Sequence, residues 1–344
     1  MKLTQSFVSL FALSLVLFNG SSVAQASGLK SSIPIDSITM QATNFKSGAN
    51  RVTFESEGEK MVGVLYLPKS YKSGDKLPTV IVTGAWMTIK EQMPSIYAQK
   101  LADRGYAAFA FDFRTWGESG GKLRDFESPS AKIADIKNAV SFLQTVDAVD
   151  PYRIAGLGIC ASAGYMVVAA AEDSRIKSLV TVAPWIHDPQ IVEAVYGGKA
   201  TVQKLITTGK TAKEKFKQTD KADYVLATSK TDKTAVMFGD IDYYQNPKRG
   251  AIPQWSNQFA LASWSEWLTF NPMPVAKQIK VPTLFIHSEK AAIPDGARQF
   301  FAAIPIKNKQ INWLSDRSQF DFYDQEATVN QSVSLIADRL KTTL

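Results

Sequence analysis

Cys160 is the only cysteine in the chain, and its neighbours are small: Gly158 stands two residues before it, and Ala161, Ser162, Ala163 and Gly164 follow. An apolar run ending at Ile159 leads into it, and a second run, Met166 to Ala171, leads away. That order reads as a strand, a sharp turn and a helix. A nucleophile held on such a turn needs uncrowded positions two before and two after it. The N-terminus of the following helix would also favour a thiolate at Cys160. Ser162 offers a competing frame, with Gly164 two residues after it but Cys160 two before. The end of the strand at Ile159 favours Cys160, and the Ser162 hydroxyl then needs a partner of its own. The plainer reading of Cys160 is a buried, inert small hydrophobe.

A thiol or hydroxyl that attacks a carbonyl needs a partner to take its proton. The chain has two histidines, His187 and His287, and both lie just after or at the end of expected strands, 176–182 and 282–287. Either could serve as the base, because a triad is recognised by geometry rather than by chain order. Glu289 and Asp295 are the nearby acids. Each histidine also reads as an ordinary residue, His187 bonded within its own loop and His287 satisfied in the core. Two histidines and one cysteine cannot build a three-histidine metal site, and no metal-ligand motif is present, so neither a metal nor a cofactor is expected.

The elements that must position these groups follow from hydrophobic periodicity. Short apolar strands are expected at 52–55, 61–67, 79–83, 107–111, 153–159, 176–182, 282–287 and 310–314. Helices are expected between them, at 91–104, 131–146, 163–172 and 296–303, with a last one from about 327. Alternation of this kind makes an α/β fold with a mostly parallel sheet and helices on both faces. The rhythm breaks between Pro184 and Ile279, a stretch Lys-rich at first and aromatic later. It reads as an insertion over the end of the sheet where ligands bind. Trp86, Trp116 and Trp185 fall in loops after strands, Trp255, Trp264 and Trp267 in the insertion, and Tyr244 also in the insertion. An aromatic-lined pocket of this kind suits a small apolar or aromatic molecule, with Trp116, Trp185 and Tyr244 as candidate contacts.

The 344 residues carry a formal charge of +7, with the basic residues dispersed rather than blocked. A solvated basic surface is the reading, and no nucleic-acid partner is expected. Residues 1–26 read as an export signal: Lys2, an apolar stretch from Phe7 to Phe18, and Ala24-Gln25-Ala26 at the cleavage point. The apolar stretch is too short to span a bilayer comfortably. A periplasmic or secreted protein is therefore expected, with a flexible leader at 27–48 and one domain at 49–344 that contains a lid insertion at about 185–279. The oligomeric state is not legible.

Four stretches together resemble a known family. Thr83-Gly84-Ala85-Trp86 follows the third strand, Lys90-Glu91-Gln92 opens the next helix, Asp112-Phe-Arg114-Thr-Trp-Gly117-Glu-Ser119-Gly-Gly121 forms a turn, and Gly158-Ile-Cys160 forms the elbow. The chain resembles the α/β-hydrolases, most closely the bacterial dienelactone-hydrolase-related group. The resemblance implies an oxyanion hole from the Ala161 amide and that of Ala85 or Trp86. It places the family's aspartate at Ala291 and its histidine at Gln319, and glutamine cannot accept and return a proton at neutral pH. Two functions follow as expectations. One is hydrolysis of an ester, thioester or lactone through Cys160 (Ser162 as the alternative), with a displaced histidine as base. The other is a hydrolase-like binding protein that has lost its base.

Overall fold

The computed structural model describes residues 45–344, so the expected export signal and most of the leader lie outside the described residues. Two strands, β1 (Gly48–Ser56) and β2 (Glu59–Leu67), form a hairpin. Then come β3 (Leu77–Thr83), α1 (Met93–Ala102), β4 (Ala107–Phe111), α2 (Pro129–Leu143), β5 (Val149–Ile159), α3 (Ser162–Glu172) and β6 (Ile176–Val182). An insertion follows, with α4 (Pro189–Val195), α5 (Lys199–Thr219), short strands β7 (Tyr224–Leu226), β8 (Thr228–Ser229) and β9 (Met237–Phe238), α6 (Asp242–Gln245), β10 (Gln258–Ala260) and α7 (Ser263–Trp267). The main fold resumes with β11 (Thr283–His287), α8 (Pro294–Ala303), β12 (Lys309–Trp313), α9 (Asp321–Asp324) and α10 (Glu326–Thr343). None of the helices among the described residues is long and apolar enough to cross a membrane.

The sheet order is β1-β2-β4-β3-β5-β6-β11-β12, and β2 alone runs against the others. The expected mostly parallel sheet is therefore present. Its centre is β-branched and apolar because both faces are covered: Val80, Ile81 and Val82 of β3 are fully buried. Each such side chain contributes about 1.5–3 kcal/mol through burial. From β3 the chain crosses one way to β4, and from β4 it crosses back past β3 to β5. Right-handed crossovers in opposite directions put α1 on one face and α2 and α3 on the other. The chain reversal leaves a crevice at the carboxyl ends of β3 and β5, where open α/β sheets hold their ligands. The loop after β3 carries Gly84 to Trp86, and the turn after β5 carries Cys160.

Local signals start the helices that frame this crevice. Ser128 caps α2 by accepting the Ala131 N–H, and Pro129 occupies the first helical position, where its missing N–H costs nothing. The insertion is pinned to the crevice from above. Trp255 Nε1 donates to the Met87 carbonyl at 2.7 Å, and Trp267 stacks on Trp86 with ring centroids 5.0 Å apart.

Candidate active site

Between the end of β5 and the start of α3, Cys160 has φ +56°. A left-handed non-glycine residue costs about 1–3 kcal/mol and persists only where its surroundings over-determine it. Here they do. The Cys160 N–H donates to the Val182 carbonyl at 3.0 Å, and the Cys160 carbonyl accepts from Ala163 at 3.0 Å and Trp185 at 2.9 Å. A Cβ on Gly158 would lie 2.5 Å from the Ser162 carbonyl oxygen, so the elbow requires glycine there. Ser162 has no such backbone. It is the first residue of α3, fully buried, and its hydroxyl donates to the Gly84 carbonyl. Its role in the structure is to tie the elbow to the loop after β3.

Four groups lie beside the Cys160 sulfur and favour its thiolate: the Tyr323 hydroxyl, the backbone amides of Trp86 and Ala161, and the Gln319 side-chain amide. Burial outweighs their pull toward a thiolate and pushes the thiol above its ordinary range. The two amides belong to separate loops and converge on one atom, which is the geometry of an oxyanion hole. Of the two residues expected from the loop after β3, Trp86 supplies the amide. The Ala85 carbonyl instead closes a turn, accepting from Thr88 N–H at 3.3 Å and Thr88 Oγ1 at 2.7 Å.

Cys160 lies on a cavity of about 50 Å3, walled by Trp86, Trp185, Tyr244 and Trp267 on the aromatic side. Met237, Ile241, Ala292, Gln319, Phe320 and Tyr323 complete it. Five of these residues come from the insertion, which closes over the crevice. Trp185 and Tyr244 are therefore on the wall, whereas Trp116 is not. Trp116 is fully buried elsewhere, its indole N–H on the Phe126 carbonyl at 3.1 Å and its ring against Lys132.

The partners of the thiol are not histidines. His187 Nδ1 accepts from Trp185 Nε1 at 2.9 Å, its Nε2 meets the Phe270 carbonyl at 2.9 Å, and its ring packs edge-on to Trp267. Burial lowers its pKa to about 4, and both nitrogens are occupied in the neutral form. His287 ends β11 fully buried, stacked on Trp313, and neither ring nitrogen reaches a hydrogen bond. Burial lowers its pKa to about 3 and the Arg298 charge adds to this; the Ala292 backbone, near the ring but outside hydrogen-bond geometry, opposes it only in part. Neither ring lines the cavity. Glu289 is exposed and pairs with Arg298. The structure thus does not bring His187, His287 or Glu289 to Cys160.

Gln319 stands beside the sulfur instead. Its Oε1 accepts from the Ala292 N–H at 3.0 Å, and its Nε2 donates to the Ala183 carbonyl at 3.0 Å and the Tyr323 hydroxyl at 3.2 Å. The position read as the family aspartate was Ala291, but Ala292 makes this contact. Tyr323 joins the site from α9, a residue that no sequence motif marks. Its signal was its place four residues after Gln319, which lies in the turn that leads into α9.

A buried ion pair backs the oxyanion loop. Glu127 accepts from Tyr165 Oη at 2.6 Å, from Lys132 Nζ at 2.6 Å and from the Met87 N–H at 3.3 Å. Among the described residues, Glu91, Asp112 and Glu118 lie close enough to hold a metal ion. Lys90 Nζ already occupies their centre, at 2.5, 2.7 and 2.6 Å from the three carboxylates. A divalent cation would have to displace an ammonium that these contacts hold charged.

Residues 80–316 match the family described as serine aminopeptidase, S33. The chain belongs to this family of hydrolases. The match supports the α/β-hydrolase superfamily read from the motifs without singling out the dienelactone-hydrolase group. The uncharacterized protein PA2218 of Pseudomonas aeruginosa is 30% identical over 286 residues, covering 80% of this chain and 76% of that protein. Its crystal structure superposes with a TM-score of 0.75 at 25% identity, covering 92% of this chain and 100% of that one. A thiohydrolase of Eupenicillium brefeldianum is 26% identical over 239 residues, 64% of this chain and 72% of that protein. A monoglyceride lipase of Saccharomyces cerevisiae shares the fold with a TM-score of 0.65 at 12% identity, over 87% and 96% of the two chains. In this S33-family hydrolase the residue at the elbow is Cys160.

Proposed function

We propose that this hydrolase cleaves an ester or thioester of a short apolar or aromatic acyl group by forming an acyl intermediate on Cys160. The observation that carries the reading is the convergence of the Trp86 and Ala161 amides on the sulfur of a residue held in a left-handed elbow. A carbonyl carbon attacked by Cys160 Sγ would leave its oxygen beside these two donors. The cavity has room for a few water molecules, the size of a short acyl chain. The relative named thiohydrolase adds support for thioesters over amides. Sulfur is a better leaving group than an amine where no histidine is at hand to protonate it.

Breakdown of the intermediate is the slow half of this reaction, because Gln319 cannot activate water. Incubation with p-nitrophenyl butyrate and with a butyryl thioester tests the reading. Intact mass should show one butyryl group on Cys160, a burst of released product, and slow turnover. Cys160→Ala should lose all three. Full activity in Cys160→Ala rejects the proposal.

A second reading rests on the Ala292–Gln319 bond, which holds a group that does not titrate where the resemblance expects a histidine, with Ala291 at the expected aspartate position. On that reading the pocket binds without reacting, and saturable binding with no adduct would favour it. We also propose, from residues 1–26, that the enzyme is exported; a full-length protein found uncleaved in the cytoplasmic fraction would refute this.

A further inference from the structure

The acylation step leaves one proton without a carrier. We propose that Tyr323 is a catalytic residue that relays the Cys160 thiol proton to the leaving group. This rests on the acyl-Cys160 reading above and deepens it.

The main chain holds the Gln319 amide in one orientation. Gln319 Oε1 faces a backbone donor, the Ala292 N–H at 3.0 Å, and Nε2 faces a backbone acceptor, the Ala183 carbonyl at 3.0 Å. Two main-chain groups therefore decide which way the amide points, and no flip satisfies both. Nε2 must then donate to the Tyr323 hydroxyl at 3.2 Å, so the Tyr323 oxygen is the acceptor in that bond. Its own hydrogen is free to point elsewhere. Two groups lie within its reach, the Tyr244 hydroxyl and the Cys160 sulfur; the sulfur is the reacting one, and all three residues line the cavity. A phenol with one lone pair held by Gln319 still has acceptor capacity for the S–H.

Such a hydroxyl works by exchange rather than by ionising. As Sγ bonds to the carbonyl carbon and the bond to the leaving oxygen or sulfur breaks, the thiol hydrogen passes to the Tyr323 oxygen. The Tyr323 hydrogen passes in the same step to the leaving atom. Tyr323 ends as it began, and the products are acyl-Cys160 and a neutral alcohol or thiol. Hydrolysis runs the relay backwards, from water through Tyr323 to Sγ. Burial pushes the phenol well above its ordinary range, which disfavours a free tyrosinate and suits a concerted exchange.

Tyr323→Phe keeps the ring and removes the relay. The measurement is the rate of Cys160 acylation by two butyryl donors, one with an alkyl thiol leaving group and one with p-nitrophenol, across pH 6 to 9. The alkyl donor needs a proton on departure and should slow about 100-fold. The p-nitrophenyl donor should slow far less, and acylation of the variant should rise about tenfold per pH unit as the Cys160 thiol loses its proton to solvent instead of to Tyr323. Equal losses on both donors with the pH profile unchanged would overturn the relay. A proton inventory on the parent enzyme needs no variant: a bowed plot in mixed H2O and D2O, from two protons in flight, is expected, and a linear one would overturn it. Absence of any acyl-Cys160 in the parent overturns the underlying reading as well, whereas a normal adduct with unaltered Tyr323→Phe kinetics overturns the relay alone.

Discussion

The Ala292 N–H donates to Gln319 Oε1 at 3.0 Å, so the residue that the resemblance sets in the place of a catalytic histidine is an amide pinned by the main chain. This pairing has a direct consequence for restoring a base. A histidine at 319 would present its Nδ1 to the Ala292 N–H. Accepting that bond puts the ring proton on Nε2, which then cannot take the proton from sulfur. That N–H persists whatever residue stands at 292, so a carboxylate there would have to outcompete it, accepting from Nδ1–H and leaving Nε2 free.

Gln319→His alone should therefore raise deacylation less than about tenfold, and Gln319→His with Ala292→Asp should raise it by about 100-fold or more. Single-turnover decay of butyryl-Cys160 measures both. An equal gain from the single and double variants would refute the tautomer argument.

Ser162 and Cys160 separate cleanly. Ser162→Ala removes the donor to the Gly84 carbonyl and leaves that carbonyl buried and unpaired. The expected cost is about 1–3 kcal/mol in urea unfolding, with the acyl adduct still formed on Cys160. Loss of the adduct with stability unchanged would return the nucleophile to Ser162.

The fold was legible because the strands of a parallel sheet buried on both faces are written as short apolar runs, and Val80 to Val82 and Leu157 to Ile159 are of that kind. The elbow was legible for a local reason: Gly158 has no room for a side chain. The partners of Cys160 were not, because they depend on tertiary placement. His187 and His287 sit at strand ends, as catalytic histidines do, yet packing turns one onto Trp267 and the other onto Trp313. Trp116 reads like a rim residue by position and is drawn instead into the packing around Lys132. The cavity wall from the insertion was half legible: aromatic residues marked it, but Met237 and Ile241 carry no signal beyond being apolar.

The two histidines set an acid limb of stability. Their native pKa values, about 4 for His187 and about 3 for His287, lie below the ordinary 6.5. The unfolded chain therefore binds more protons between these values, and stability rises with pH there. The contribution is fully present above pH 6.5 and is lost as pH falls toward 4 and then 3. Each histidine adds a slope approaching about 1.4 kcal/mol per pH unit. His287→Leu removes one slope and two unpaired ring nitrogens. It should be near neutral at pH 7 and shallower between pH 6 and 4.5, by urea midpoints. An unchanged slope would reject the assignment.

Glu127 and Lys132 give the sharpest stability test. Both are buried, and the Lys132 ammonium sits 4.8, 5.1 and 5.5 Å from the ring centroids of Phe113, Trp116 and Tyr165. Removing one member strands the other charge. Lys132→Met should cost about 3–5 kcal/mol, because the Glu127 carboxylate keeps only the Tyr165 hydroxyl and the Met87 amide. Adding Glu127→Gln removes the stranded charge while keeping an acceptor for Met87, so the double variant should recover much of the loss. Because Met87 adjoins Trp86 and both variants keep an acceptor for the Met87 N–H, the single and double variants should both retain acylation of Cys160. A double variant less stable than Lys132→Met alone would mean that the carboxylate serves the loop in some way other than by pairing with the lysine.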